Sequence, residues 1–143
     1  MADDIVLVDT DVWSCVVMTD KNRDPRVEGW RRALLGKQIT IAAQTEGELR
    51  FGADVKGWGP THVAQLEAKL ATTPTILVDS EVIKAFANIR AECRKLGHAL
   101  ADKQHMGDAW IAATGRAHGL ALLSGDAIYA GALGVLLLAP SAG

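Results

Sequence analysis

Ile5-Val6-Leu7-Val8-Asp9-Thr10-Asp11 is the stretch that decides the fold, because four apolar residues run directly into two carboxylates. A short apolar run of this kind is typical of a strand buried inside a parallel sheet. Open α/β folds bind their ligands beyond the carboxyl ends of such strands. We therefore expect Asp9 to lie at a ligand-binding edge of the molecule.

The rest of the chain alternates strand and helix signals. Further strands are predicted over 39–42, 74–78 and 120–123, with a fifth over 135–138. Helices are predicted over 12–18, from Pro25 to about Leu35, from a cap at Thr45, from Pro60 to about Leu70, from Asp79 or Ser80 to Leu96, and over 106–118. This alternation predicts an α/β fold in which a central parallel sheet is flanked by helices on both faces.

Three more acids accompany these segments, namely Glu48, Asp108 and Asp126. Glu48 and Asp108 lie on helical faces that are otherwise suited to burial, since the apolar or small neighbours on those faces are Phe51, Gly52, Val55, Ile111, Ala112 and Gly115. Each acid taken alone has an ordinary alternative role: Asp108 as a helix cap, Glu48 as a side chain reaching solvent, Asp126 as a turn residue. For Asp11, capping is favoured over metal binding.

Taken together, the four acids predict a metal site, because carboxylates gathered at one edge repel unless a divalent cation neutralises them. Oxygen ligands without nearby Cys or His favour Mg²⁺ or Mn²⁺. Such ions serve phosphoryl displacement by activating water and stabilising the leaving oxygen. Ser124, two residues before Asp126, is suited either to a metal-bound water or substrate phosphate or to an ordinary turn.

The composition limits the class of protein. The 143 residues and a formal charge of −2 indicate one domain with no basic excess of the kind that nucleic-acid binders often show. The acidic start and the lack of a long apolar run predict a cytoplasmic protein with no membrane contact. Cys15 and Cys93 have no zinc-site spacing and are expected to be core thiols.

Four strings, in order, carry a resemblance to a known family: VLVDTDVWS, TEGELRFGA, GDAWIAATGRAHGL and LLSGD. Together they resemble the PIN domain, most closely the VapC-type toxin ribonucleases of bacterial toxin–antitoxin pairs. The resemblance spans almost the whole chain, so residues 1–143 are interpreted as one PIN-like nuclease domain with a three-layer α/β/α fold. No acid follows Asp126, a departure from many relatives that carry a further acid shortly after that position, in the stretch where this chain has Tyr129 and Ala130.

The resemblance implies a role for each matching residue. The family's metal-binding acids fall on Asp9, Glu48, Asp108 and Asp126, and its active-site hydroxyl falls on Ser124. It further implies Mg²⁺- or Mn²⁺-dependent cleavage of RNA that leaves a 3′ hydroxyl, a homodimer, and inhibition by a cognate antitoxin.

Other functions remain open at this point. Asp9-Thr10-Asp11-Val12 also matches the nucleophile motif of haloacid-dehalogenase-like phosphatases, although Gly125-Asp126 lacks the second acid that those enzymes need. A receiver-type regulatory domain needs a late lysine, and none follows Lys103. A non-catalytic domain that binds RNA or an antitoxin is the third alternative.

Seven cations are candidates for contact with RNA phosphates. Arg50 and Arg116 are favoured, because each follows a proposed metal ligand on its helix. The other candidates are Lys56, Arg90, Arg94, Lys95 and Lys103.

Overall fold

A parallel sheet of four strands forms the centre of the molecule, in a computed structural model that describes residues 4–18 and 24–140. The strands are β1 (Ile5–Val8), β2 (Gln38–Ala42), β3 (Thr75–Ile76) and β4 (Ala121–Leu123), in the spatial order β3-β2-β1-β4. β1 is central and pairs with β2 on one side and β4 on the other. The predicted fold class is confirmed, and the end of β1 lies at the middle of the sheet edge.

Helices connect the strands. Their bounds are α1 (Thr10–Trp13), α2 (Val27–Ala33), α3 (Ala43–Val55), α4 (Pro60–Ala71), α5 (Ser80–Leu96) and α6 (Met106–His118). α1 continues into a π-helical turn over Ser14–Met18, and short 3₁₀ turns cover Ala99–Ala101, Lys103–His105 and Ala127–Tyr129. The predicted helix ends at Gly97 and Gly119 are confirmed, as is the cap of α5, where the Asp79 side chain accepts from the Val82 N–H.

Apolar side chains fill both faces of the sheet. Leu7 packs on one side with residues of α5 and α6, whereas Val6 and Val8 pack on the other side in a cluster with residues of α1, α2 and α4. Because neighbouring strand residues point to opposite faces, the unbroken apolar run of β1 serves both layers. Trp13 and Trp30 are fully buried in the second cluster, and Cys93 is buried in the first.

Two apolar segments that were predicted as strands differ in the structure. The segment 135–138 makes a single bridge, between Leu122 and Leu137, and is not a fifth strand. Leu136 and Leu137 are each at least half exposed, so the run lacks the two-sided burial that apolar character indicates in a parallel sheet. β3 likewise stops at Ile76, and Leu77 is 73% exposed.

The start of α3 also differs from the prediction. The helix begins at Ala43, directly after β2, so Thr45 is a buried residue of its first turn and not its cap. Its inner face is formed by Thr45, Leu49 and Ala53, while Phe51 and Val55 are more than two-thirds exposed. None of the helices within residues 4–18 and 24–140 has the length and apolar character needed to cross a bilayer.

Candidate active site

Asp9 occupies the end of β1 and caps α1. One carboxylate oxygen accepts from the Thr10 N–H at 2.8 Å, and the other accepts from the Ser124 hydroxyl at 2.6 Å. The Asp9 N–H donates to the Leu123 carbonyl at 2.9 Å, which fixes the ends of β1 and β4 side by side. The side chain that the sequence places at the sheet edge is therefore held rigidly there.

The environment of Asp9 disfavours its charged form. The residue is only 6% exposed, and burial raises the pKa of its carboxyl to about 6, with further contributions from the charges of Asp11 and Asp108. The hydrogen bonds from Ser124 and Thr10 act in the opposite direction and are outweighed. A buried carboxylate among like charges is stabilised by a nearby cation, so this electrostatic setting suits a metal ion.

Asp108 lies in the first turn of α6 and is not its cap, since His105 occupies that position. One of its oxygens lies 3.1 Å from the His105 ring Nδ1, and the other accepts from the Tyr129 hydroxyl at 3.3 Å. Tyr129 is buried, and burial together with the charges of Asp9 and Asp108 raises the pKa of its hydroxyl. The tyrosine is therefore a neutral donor that lies beside both aspartates.

Glu48 reaches the same edge from α3. One of its oxygens accepts from the Thr10 hydroxyl at 2.5 Å, and the other accepts from the Gln44 amide at 3.1 Å. Gly107 allows the start of α6 to approach this pair, because a Cβ there would lie 3.1 Å from Glu48 Oε2 and 2.9 Å from the Gln44 amide nitrogen. Thr10 therefore links Glu48 to Asp9, because it contacts both carboxylates. Glu48 also lies close to Gly107, the residue before Asp108.

Asp126 lies at the end of β4 and is the most solvent-exposed of the four acids. Its carboxylate accepts from the Ile128 N–H at 3.0 Å and caps the 3₁₀ turn, as the turn alternative proposed. Its own N–H donates to the Ser124 hydroxyl oxygen at 2.9 Å. Ser124 therefore links Asp126 to Asp9, and its contact with the Asp126 N–H fits the turn alternative. Its contact with a metal-bound water or a substrate phosphate stays a prediction.

Asp11 ties the loop after β4 to α1. Its carboxylate accepts from the N–H groups of Val12 at 2.7 Å and Gly125 at 3.1 Å. The predicted capping role of Asp11 is wrong, because Asp9 is the cap of α1. A Cβ on Gly125 would lie 2.6 Å from Asp11 Oδ2, 2.7 Å from Arg26 Nη1 and 2.8 Å from the Trp30 ring, and only glycine fits. Because Asp11 is half-buried, the pKa of its carboxyl is raised mainly by desolvation.

Hydrogen bonds and close contacts thus join all four predicted acids at one sheet edge. Within residues 4–18 and 24–140, however, no group of three or more acid, His or Cys side chains is close enough together to hold a metal ion. The donor set consists of hard oxygens, and Mg²⁺ commonly uses only one or two carboxylates and keeps several waters. The residues therefore fit Mg²⁺ or Mn²⁺ in chemistry, and the assignment of all four as ligands stays a prediction.

Thr10, His105 and Tyr129 also lie at this edge, although the sequence alone predicted no role for them there. Thr10 was detectable, because it stands between the two aspartates of the opening motif. His105 precedes Asp108 by one helical turn, a spacing that allows the observed contact. Tyr129 offered no signal, because its contact with Asp108 spans 21 residues.

The two favoured cations are already neutralised within the chain. Arg50 pairs with Glu46 at 3.0 Å and also with Glu67. Arg116 pairs with Glu92 at 2.9 Å and donates to the Leu133 carbonyl. These partners make both guanidiniums weak candidates for binding RNA phosphates.

The sequence and the fold both match known proteins. The family model described as the PIN domain matches residues 6–131, whereas no curated protein sequence matches the chain. The structure is similar to VapBC2 from Rickettsia felis bound to a DNA fragment from its promoter, with 15% identity, coverage of 93% of this chain and 96% of that chain, and a TM-score of 0.74. It is also similar to FitAcB from Neisseria gonorrhoeae (24% identity, 94% and 97% coverage, TM-score 0.71) and to DNA-bound VapBC from Salmonella typhimurium (19%, 94% and 96%, 0.72). At these identities the likeness concerns the fold.

Proposed function

The chain belongs to the PIN-domain family, and from this premise we propose that it is a Mg²⁺- or Mn²⁺-dependent endoribonuclease and the toxin of a VapBC-type toxin–antitoxin pair. The observation that carries the proposal is the buried carboxylate of Asp9, coupled to Asp108 and joined through hydroxyl groups to Glu48 and Asp126. Both Asp11 oxygens accept backbone N–H groups, so the acid/base role that the phosphatase alternative requires of it is not supported.

Asp9, Glu48, Asp108 and Asp126 would hold the metal. When bound, a divalent cation activates the attacking water and stabilises the leaving oxygen in phosphodiester hydrolysis. Ser124 and Thr10 orient the Asp9 and Glu48 carboxylates, and Tyr129 orients Asp108. Because these donors are neutral, they fix the carboxylate geometry without removing the negative charge that attracts a cation.

Purified protein incubated with unstructured and structured RNA tests the activity. We expect cleavage with Mg²⁺ or Mn²⁺ and none in EDTA, because hard oxygen ligands are the catalytic groups at this edge. Products should carry a 3′ hydroxyl, as the resemblance implies. Cleavage that persists after exhaustive chelation, or hydrolysis of small phosphomonoesters without action on RNA, would contradict the proposal.

Asp108→Asn tests the metal role separately. In EDTA the variant should melt no lower than the parent, because one of several like charges has been removed. With Mn²⁺ it should gain less thermal stability than the parent and lose most cleavage. A variant that cuts RNA within about tenfold of the parent, a loss of only ~1.4 kcal/mol in transition-state stabilisation, would remove Asp108 from the catalytic ligands.

The proposed antitoxin partner rests on the family and on the similar fold of VapBC-5 from Mycobacterium tuberculosis, which is described as a member of the VapBC family of toxin–antitoxin systems. The concentration of carboxylates supports an inhibitor that places a basic side chain among them and competes with metal. Co-expression with the product of an adjacent short reading frame should yield a complex that does not cleave RNA. Failure of every such product to copurify would discard this part of the proposal.

A homodimer is the other proposed assembly. Phe51 and Val78 are exposed and line a groove of about 520 Å³ together with Trp110 and Glu48, and Val55 on the same helix is also exposed. A second copy would cover the apolar part of this surface. Light scattering should report a dimer for the parent. Phe51→Glu should shift the protein toward a folded monomer, since Phe51 is 69% exposed in the single chain and contributes little to its core. A monomeric parent would contradict this assignment.

A further inference from the structure

Four cations gather at the C-terminal half of α5 and the turn that follows it. Arg90, Arg94, Lys95 and Lys103, which we call the α5 basic cluster, line two adjoining cavities of about 670 and 410 Å³. Both cavities are bounded by Arg90, Arg94 and Ala101. The chain as a whole is slightly acidic, so this concentration of positive charge is a local feature.

The α5 basic cluster differs in its partners from several other cations of the molecule. Arg26, Arg50, Lys84 and Arg116 each pair with an acid. In the described part of the chain, none of the four cluster residues makes an ion pair. Lys95 contributes to lowering the pKa of the Glu92 carboxyl, but Arg116 is the partner that binds Glu92 directly. The charge of the cluster is therefore available to an anionic ligand.

The Arg90 side chain is held in place by contacts within the chain. Its Nη2 donates to the Ala101 carbonyl at 2.6 Å, and its guanidinium lies 5.7 Å from the centre of the Phe86 ring. Its Nε is buried and has no hydrogen-bond partner among the described residues, which is unusual for a charged group. Arg94, Lys95 and Lys103 are exposed around this anchored residue.

The cluster adjoins the acidic edge by two routes. Lys103 lies two residues before His105, whose ring contacts Asp108. His98 lines the smaller cavity, and its ring Nε2 lies 2.7 Å from the Ala130 carbonyl oxygen. Ala130 follows Tyr129, whose hydroxyl donates to Asp108. Both connections place the α5 basic cluster next to the acidic edge.

We propose that the α5 basic cluster binds backbone phosphates of single-stranded RNA next to the bond that is cleaved, a role that rests on the proposed function. A carboxylate site repels the RNA backbone, and binding requires cations placed beside the acids. The exposed, unpaired arginine and lysine side chains supply that attraction and, as contacts to phosphate alone, carry no base preference. The surface then sets affinity for RNA, while the acids set the rate of cleavage.

Binding is measured with a fluorescein-labelled single-stranded RNA of mixed sequence, in EDTA, over a range of salt concentrations. The double variant Arg94→Ala/Lys95→Ala should bind at least about tenfold more weakly than the parent at low salt, and its salt slope should be less steep by about 0.7 for each cation removed. Lys69→Ala/Lys84→Ala, which removes two exposed cations elsewhere, is the matched control and should bind as the parent does.

Cleavage by the same proteins separates this inference from the proposed function. With Mn²⁺, the cluster variant should show a raised KM and a kcat close to that of the parent, because phosphate contacts act equally in the ground and transition states. A parent that cleaves no RNA would refute the proposed function, while a loss of RNA binding in the cluster variant would still support the surface. Parent-like affinity and salt slope in the cluster variant would overturn the inference, as would a loss confined to antitoxin binding.

Discussion

The ends of β1 and β4 carry the same local arrangement but differ in burial. Asp9 and Asp126 each follow a strand, and each caps the short helical turn after it with a backbone N–H contact. Asp9 is nearly inaccessible and has a raised pKa, whereas Asp126 is exposed to solvent. Two similar caps therefore hold one carboxylate in a buried setting that disfavours its charge and the other in contact with solvent.

Exchange of each aspartate for asparagine should separate their contributions to cleavage, and this is the largest effect we expect. Asn caps nearly as well as Asp, so both variants retain their turns. Asp9→Asn should reduce kcat/KM with Mn²⁺ by about 10²-fold or more, roughly 3 kcal/mol, and Asp126→Asn by clearly less. An RNA cleavage assay ranks the two. Equal losses would show that burial does not distinguish the two positions.

The pH dependence of stability should reveal the cost of ionising Asp9. Its folded pKa of about 6 exceeds the ordinary value of 3.8, so the native state retains this proton longer than the unfolded state. The contribution of Asp9 to stability is therefore present below about pH 4 and lost as the pH rises through 6, a difference of about 3 kcal/mol.

Denaturation in EDTA across this range measures that difference against Asp9→Asn. Acids with lowered pKa, such as Glu46 and Glu92, act in the opposite direction, so each comparison is made at one pH. The variant should be more stable than the parent at pH 7, with the gap closing toward pH 4. A gap that stays constant with pH would contradict the assignment to Asp9.

The contact that holds the two strand ends together is tested by Gly125→Ala. The added methyl group would collide with Asp11, Arg26 and the buried Trp30, so we expect a loss of about 1–3 kcal/mol in unfolding free energy and weaker cleavage. Gly52→Ala in α3 meets nothing within 4 Å and should be neutral or stabilising. Urea denaturation compares them, and a parent-like Gly125→Ala variant would show that the loop adjusts freely.

The smallest effect is expected for Tyr129→Phe, which alters only the buried end of the site. Removing the hydroxyl bond to Asp108 should cost about 1 kcal/mol in stability and raise the Mn²⁺ concentration needed for half-maximal cleavage. Ser124→Ala removes the hydroxyl that links the two strand ends and serves for comparison. An unchanged Mn²⁺ requirement in Tyr129→Phe would mean that the tyrosine has only a packing role.

The sequence by itself determined the parallel sheet, most helix bounds and the convergence of the four acids. These features depend on local patterns, since apolar runs, caps and glycine stops act within a few residues. The same locality explains the errors, because the run at 135–138 and the apolar positions Phe51 and Val55 look buried from sequence but are exposed. Apolar character alone does not reveal which surface a chain leaves uncovered.

Only the tertiary structure decided which acids and cations are free to act. Asp9 differs from Asp126 through the side chains that surround it, and Tyr129 reaches Asp108 across 21 residues. Arg50 and Arg116 were chosen by their spacing along helices but are bound to Glu67 and Glu92. The α5 basic cluster, in contrast, makes no ion pair within residues 4–18 and 24–140. Burial and ion pairing depend on contacts between segments distant in sequence, and the strength of a charge is set by those contacts.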